Sequence, residues 1–494
     1  MKFKKLGALL LAGVLAGSLL VGCGSKSDAV EEAEQAVEEA AEEVEEAVEE
    51  AGEEVEEAAE EATGEEVAEE AETVASDLTS CIPEVPDLGG MTSLEWLLAQ
   101  EDNTPLGGIV SNHVEDRADV YKALDKVDTS KTDIKVALFS NSLGAPWFIE
   151  LADSAKAKCE EYGYEFLNYD ANFNLNTQIE QLEECLALDV DYMIIDTADV
   201  DAEAEIFRRA TEQGIVVILE GASIAQDDYN IVTLFISACW EAGYVNGYYA
   251  AQQTCGDYPD GINLGIMITQ CGSGFSESRA CGFISGYIDG YAATAGQPYD
   301  SKYDAAVIGY NTWIELRDKG SSSIPGLLNC VGYVTTENVA TSESAPAAAD
   351  LLTAHPEMEL ALVETDSLGT TMITEAQQMG IEPGKDLLIC YASDGLNTVC
   401  DAIREGQVLS MGSCSPYPCG EGIVELIHDI QTGALSIEDA NDLPANLFIP
   451  TYCITKDNVD EVCPEGQVYA TALEGFDIIT VDEYNAKYAD AAEE

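Results

Sequence analysis

From Lys135 onward the chain alternates short, almost wholly apolar runs with longer stretches whose apolar residues recur three and four apart. "KVALFS", "YEFLNYD", "YMIID" and "IVVILEG" have the length and composition of buried strands. Between them, "PWFIELADSAKAKCEEYG", "NTQIEQLEECLALD" and "AEAEIFRRATEQG" carry helical spacing, and Gly163 and Gly214 sit where a left-handed residue ends a helix. The series restarts at "NLGIMITQ" and runs through "ELALVETD", "LLICYASDG", "AIREGQVLSMGSC" and "CGEGIVELIHDIQTG". Strand–helix alternation of this kind predicts parallel βαβ units with helices on both faces. The expected fold class is therefore α/β, with two doubly wound parallel-sheet lobes spanning about residues 133–482.

The N-terminal pattern is different. From Asp28 to Glu72 the chain is nearly all Glu, Ala and Val, with Val30, Ala33, Val37, Ala40, Val44, Ala47 and Ala51 forming a stripe of coiled-coil spacing. The seam is mostly Ala, and Glu faces Glu four residues on, which opposes helix formation. A solvated acidic stalk, helical only in part at neutral pH, is the expectation; a coiled-coil oligomeriser is the sharper alternative. "SLEWLLAQ" predicts a short helix inside a Pro- and Gly-containing linker, and "DRADVYKALDKVD" a second helix leading into the main fold.

Ahead of the stalk, "MKFKKLGALLLAGVLAGSLLVGCGS" joins a Lys-rich start to an apolar stretch of small residues. It ends in Leu20-Val21-Gly22-Cys23, which resembles a bacterial lipobox and implies diacylation of Cys23. More than one acyl chain on that residue anchors a protein firmly. The expected location is the cell membrane, lipid-anchored on the extracytoplasmic face, with no membrane contact beyond the anchor.

The formal charge of −73 on 494 residues repels nucleic acid and anionic lipid surfaces, so no nucleic-acid partner is expected. Three scattered His residues, His113, His355 and His428, lack metal-ligand spacing, and neither metal nor other cofactor is expected. Fourteen cysteines remain besides Cys23. Export favours disulfides, with Cys414/Cys419 and Cys453/Cys463 close enough in sequence to pair; an anaerobic source would leave them as buried small hydrophobes. No GxSxG elbow, GxGxxG loop or P-loop follows a strand, which argues against an enzyme.

In doubly wound sheets ligands sit beyond the carboxyl ends of the strands. "SNSLGAPWF", "DTADVD", "EGAS", "TQCGSGFSESR", "ETDSLG" and "YASDGLN" occupy those positions. Trp147 and Phe148 open a helix there, and an aromatic face can stack on the C–H face of a sugar while carboxylates and amides take its hydroxyls. Asp196, Glu220, Asp366 and Asp394 supply acceptors, which suit a neutral sugar or polyol, or an amino sugar, better than an acidic ligand.

These stretches together resemble the type I periplasmic sugar-binding proteins, the ribose/galactose/xylose-binding class of ABC importers. The likeness rests on "VALFSNSLGAPWFIELADSAKAKCEEYGYEF", "LLTAHPEMELALVETDSLG", "YASDGLNTVCDAIREGQV" and "IPTYCITKDNVDE". It implies binding positions at Trp147, Phe148, Thr365, Asp366 and Asp394, with Glu220, Glu277 and Cys414 standing where the family has other residues and Arg279 retained. Ala145 replaces an Asn before the Pro, Glu220-Gly221 an Asp-Arg pair, Glu277 an Arg and Cys414 a Gln, and the loss of two Arg donors and two amides argues against ribose itself. The resemblance implies a multi-stranded hinge with crossings near residues 238–241, 412–415 and 446–449. The resulting plan is a signal peptide at 1–22, the stalk at 23–75, a linker with short helices at 76–132, lobe 1 at 133–239 and 415–447, and lobe 2 at 240–414 and 448–482. The implied activity is capture of a sugar or polyol by a monomer that delivers it to ABC permease subunits. Alternatives of the same fold are a sensor presenting a sugar or signalling furanose to a receptor, and a purine-nucleoside-binding lipoprotein, whose Asp-x-Ser-Phe-Asn loop is missing here.

Overall fold

The computed structural model describes residues 78–109, 124–221, 231–337, 341–441, 443, 446–449, 451–471 and 479–480. The signal peptide, the lipobox, the stalk and most of the second linker helix lie outside the described residues. The chain divides into a unit of Met1–Val74 and a unit of Ala75–Glu494, and all that follows concerns the second.

Lobe 1 is built on a sheet containing β1 (Lys135–Ser140), β2 (Glu165–Asp170), β3 (Tyr192–Asp196), β4 (Val216–Glu220) and β5 (Leu234–Ser237). Strands β12 (Asn446–Ile449) and β14 (Ile479–Thr480) complete it in the order β14-β12-β5-β4-β3-β1-β2. Only β14 runs antiparallel to its neighbour. Lobe 2 is built on β6 (Ile262–Ile268), β7 (Ser322–Ile324), β8 (Leu328–Thr335), β9 (Leu360–Val363), β10 (Leu388–Tyr391), β11 (Ser410–Gly412) and β13 (Cys453–Ile454). Their order is β13-β11-β10-β9-β6-β8-β7, with β13 and β7 antiparallel at the two edges. Burial on both faces explains why β1, β3 and β4 read as continuous apolar runs, whereas β2, at the sheet edge, has no buried residue. In β3, Tyr192 and Ile194 pack on one side and Met193 and Ile195 on the other.

Helices α2 (Pro146–Tyr162), α3 (Leu175–Cys185) and α4 (Val200–Gln213) return the chain between the lobe 1 strands. Gly163 and Gly214 end α2 and α4 with φ of 76° and 91°, as their positions in the sequence predict. In lobe 2, α5 (Cys239–Thr254) lies against α6 (Gly274–Thr294), backbone to backbone. A Cβ on Gly282 or Gly286 would fall 1.9 or 2.0 Å from the carbonyl oxygens of Trp240 and Tyr244. Helix α6 is buried all round from Ser276 to Ala292, so it shows no amphipathic stripe.

The chain passes between lobes after β5, after β11 and after β12. The first follows Ser237 at the end of β5 and the second follows Gly412 at the end of β11. The third lies beyond Ile449, because Asn446–Ile449 form β12 inside the lobe 1 sheet and Cys453–Ile454 form β13 in that of lobe 2. Strand β14 also belongs to that sheet, so the end of the segment assigned to lobe 2 returns to lobe 1.

Residues 78–109 correct the expectation of a linker. Helix α1 (Ser93–Leu98) is capped by a Thr92–Glu95 box, and Leu97 and Leu106 are fully buried in the lobe 2 core. Tyr299 and Tyr310 donate to the carbonyls of Pro83 and Asp102 at 2.7 and 2.8 Å. Arg317 grips the Asp102 carboxylate at 2.8 Å. The segment is an annex of lobe 2.

Candidate functional site

Pro146 at the first helical position fixes the entry to α2, so Trp147 and Phe148 fall in its first turn beyond β1. Both rings are half-buried. The Trp147 indole N–H donates to the Cys414 carbonyl at 3.1 Å, which ties lobe 1 to the second crossing. The Phe148 ring meets Trp147 edge-on at 5.3 Å and Phe173 edge-on at 6.0 Å. Phe173 itself is exposed.

Beside them, Asp196 and Glu220 end adjacent parallel strands in register. One Asp196 oxygen accepts the Asn141 N–H at 2.8 Å and so fixes the loop that leads to Trp147. One Glu220 oxygen faces the Cys419 thiol at 3.9 Å; the other has no partner. Burial pushes Asp196 up to about 7. Burial, and then the Asp196 charge, pushes Glu220 well above the usual carboxylate range. A buried acid pair of this kind holds a proton or accepts from a donor that replaces water.

The lobe 2 wall is an ion-pair fork. Arg279 on α6 donates to Glu364 at 3.0 Å and to Asp394 at 3.2 Å, and its Nε has no partner. Glu364, one residue beyond β9, also accepts from the Thr269 N–H and hydroxyl at 2.6 and 2.8 Å. Thr365 donates to the second Asp394 oxygen at 3.2 Å. Burial raises Asp394, and the Arg279 charge opposes that rise.

Asp366 is set behind this wall. A single oxygen accepts the backbone N–H groups of Asp394, Gly395 and Leu396 at 2.9, 2.8 and 2.6 Å. That oxygen clamps the Asp394 loop, while the other, Oδ1, is buried without a hydrogen-bond partner. Glu277 departs from expectation. It is fully buried and accepts from the Gly272 N–H, Trp313 and Arg317 at 2.6, 2.7 and 2.9 Å. Two residues before Arg279, it points about 200° away from it round the helix.

The Cys414 thiol is also turned from its expected use. It is fully buried, and it and the Cys239 thiol of the first crossing perturb one another's ionisation in opposite directions. Cys463 likewise faces Cys400. The sequence-adjacent pairs Cys414/Cys419 and Cys453/Cys463 are not bonded, and all fourteen described cysteines are free thiols.

Thus Arg279, Thr365 and Asp394 converge in lobe 2, Asp196 and Glu220 in lobe 1, and Trp147 bridges to the hinge. Glu364, Cys239 and Tyr469 belong to the same neighbourhood and escaped sequence reasoning. Glu364 stands beside two strand-end candidates in "ETD", which is the one local signal for it. Among the described residues no group of His, Cys, Asp and Glu is placed to hold a metal ion, and no helix is long and apolar enough to cross a membrane.

Known structures share this architecture. A Mycobacterium smegmatis protein in complex with β-D-fucofuranose has 17% identity and a TM-score of 0.52, covering 68% of this chain and 95% of its own. The periplasmic component of an arabinose ABC transporter from a Shewanella species, bound to L-arabinofuranose, has 18% identity and a TM-score of 0.50, covering 66% and 93%. An ABC transporter solute-binding protein from Actinobacillus succinogenes with bound D-allose has 15% identity and a TM-score of 0.51, covering 66% and 99%. No curated protein matches the sequence. Residues 136–435, more than half of the chain, match the periplasmic binding protein domain, and the protein therefore belongs to that family, with the two-lobed type I fold.

Proposed function

We propose that this protein is an extracytoplasmic solute-binding lipoprotein that captures a sugar or related polyol between its lobes and delivers it to an ABC import permease. It acts as a monomer without catalysis, anchored through Cys23. The observation that carries the reading is the composition of the facing walls. Acceptors dominate, one guanidinium fork orders two of them, and buried polar atoms of Glu220 and Arg279 lack partners at the strand ends. A hydroxyl-rich neutral ligand both donates to carboxylates and accepts from Arg279, and its C–H face suits the Trp147 or Phe148 ring. The furanoses and the allose bound by proteins of this fold are of that chemical class. Contacts from both lobes to one ligand favour the closed form, which gives a permease something to recognise.

A thermal-shift screen against pentoses, hexoses, polyols and nucleosides tests this. A true ligand at a hundred times its dissociation constant stabilises by about 2.7 kcal/mol, which is read as a raised melting temperature. If no sugar or polyol raises it, or if only nucleosides do, the reading fails.

A further inference from the structure

Beyond the third crossing, helix α13 (Val459–Val462) turns the chain back along the Asp394 loop. The Asn397 N–H donates to the Val468 carbonyl at 2.9 Å and the Ala470 N–H to the Gly395 carbonyl at 2.8 Å. Leu396 and Tyr469 form an antiparallel bridge between these bonds. The approach is close enough to require glycine at 395: its φ is 131°, and a Cβ there would lie 2.9 Å from the Ala470 Cβ. Tyr469 is thus held rigidly beside Asp394.

The Tyr469 side chain is fully buried, and its hydroxyl has no hydrogen-bond partner. The charged groups that face it are Asp366 and Asp394 of its own lobe and Glu150 of α2 in the other lobe. A buried phenol normally finds a hydrogen-bond partner, because leaving the desolvated hydroxyl unpaired is unfavourable. Here an unpaired one sits on the segment that is bridged to the Asp394 loop.

We propose that Tyr469 is a ligand-binding, specificity-determining residue whose hydroxyl hydrogen-bonds a hydroxyl group of the bound sugar or polyol alongside Asp394. This rests on the solute-binding reading above. It adds a lobe 2 contact from the C-terminal segment, and it assigns to the ligand the partner that the phenol lacks.

The test is calorimetric titration of wild type and Tyr469→Phe with D-ribose, L-arabinose, D-galactose and D-allose. Phenylalanine keeps the buried ring and removes only the oxygen. For a sugar that wild type binds, the variant is expected to bind about tenfold more weakly, the loss of one hydrogen bond. Its ligand-free melting temperature stays equal or rises, because an unpaired buried hydroxyl is gone. Equal affinity for both proteins overturns the inference and leaves the solute-binding reading standing. Glu150→Gln serves as the control for a direct lobe-to-lobe contact. If it weakens binding as much as Tyr469→Phe, and the double variant binds no more weakly, the phenol latches the lobes and the inference is overturned. Wild type that binds none of these sugars and no polyol overturns the solute-binding reading, and this inference with it.

Discussion

Replacing Asp366 separates a clamp from a ligand contact. One carboxylate oxygen receives three backbone N–H groups from consecutive residues, Asp394, Gly395 and Leu396. Asp366→Ala leaves all three buried donors without an acceptor. At about 1–3 kcal/mol for each stranded group, and with water entering to satisfy one of them, the loss is roughly 2–6 kcal/mol. That is a large share of the roughly 5–15 kcal/mol by which domains are stable. Asp366→Asn keeps one oxygen in place and is expected to cost about 1–2 kcal/mol. Urea unfolding followed by circular dichroism reads both values. The alanine variant should also lose ligand affinity, because Asp394 is no longer positioned; the asparagine variant should keep most of it. An alanine variant within about 1 kcal/mol of wild type refutes the clamp. So does an asparagine variant of native stability that no longer binds.

Other outcomes follow from the same geometry. Trp147→Ala should weaken sugar binding by about 1–3 kcal/mol if the ring lies on the ligand, while Trp147→Phe isolates the indole bond to the Cys414 carbonyl; calorimetry separates the two. Arg279→Ala strands the buried Glu364 and Asp394 carboxylates and should cost about 3–5 kcal/mol, measured by chemical unfolding. Burial pushes both Asp196 and Glu203 up to about 7, so each holds its proton more tightly folded than unfolded. Their contribution to stability is complete below the ordinary carboxylate range and is lost as pH rises through 7. The ligand-free melting temperature should therefore fall from pH 5 to pH 8, and Glu203→Gln should flatten that slope; a flat wild-type profile contradicts the assignment.

How much of this was legible in the sequence depended on how local each cause was. The strands and the glycine-ended helices are short-range patterns, and "KVALFS" or "TEQG" states them within a few residues. Helix α6 could not be read by periodicity, because it is buried on every side and packs through Gly282 and Gly286 rather than through a stripe. The annex at 78–109 looks like a linker because Leu97 and Leu106 find their partners some two hundred residues away. The site divides in the same way. Strand-end carboxylates announced Asp196, Glu220 and Asp394 as candidates. Whether such a group points into the cleft or holds a neighbouring loop depends on donors remote in sequence, as those of Glu277 and Asp366 are. Tyr469 has no local signal at all; only the bridge to Leu396 brings it there.

The annex also settles how mechanical load enters the molecule. Its leucines are part of the lobe 2 interior and its polar groups are bonded to α6 and the helix at Lys302–Lys319, so whatever precedes residue 78 pulls on lobe 2. A pull applied through the chain ahead of residue 78 would therefore be borne by lobe 2 first, with lobe 1 the freer of the two to move.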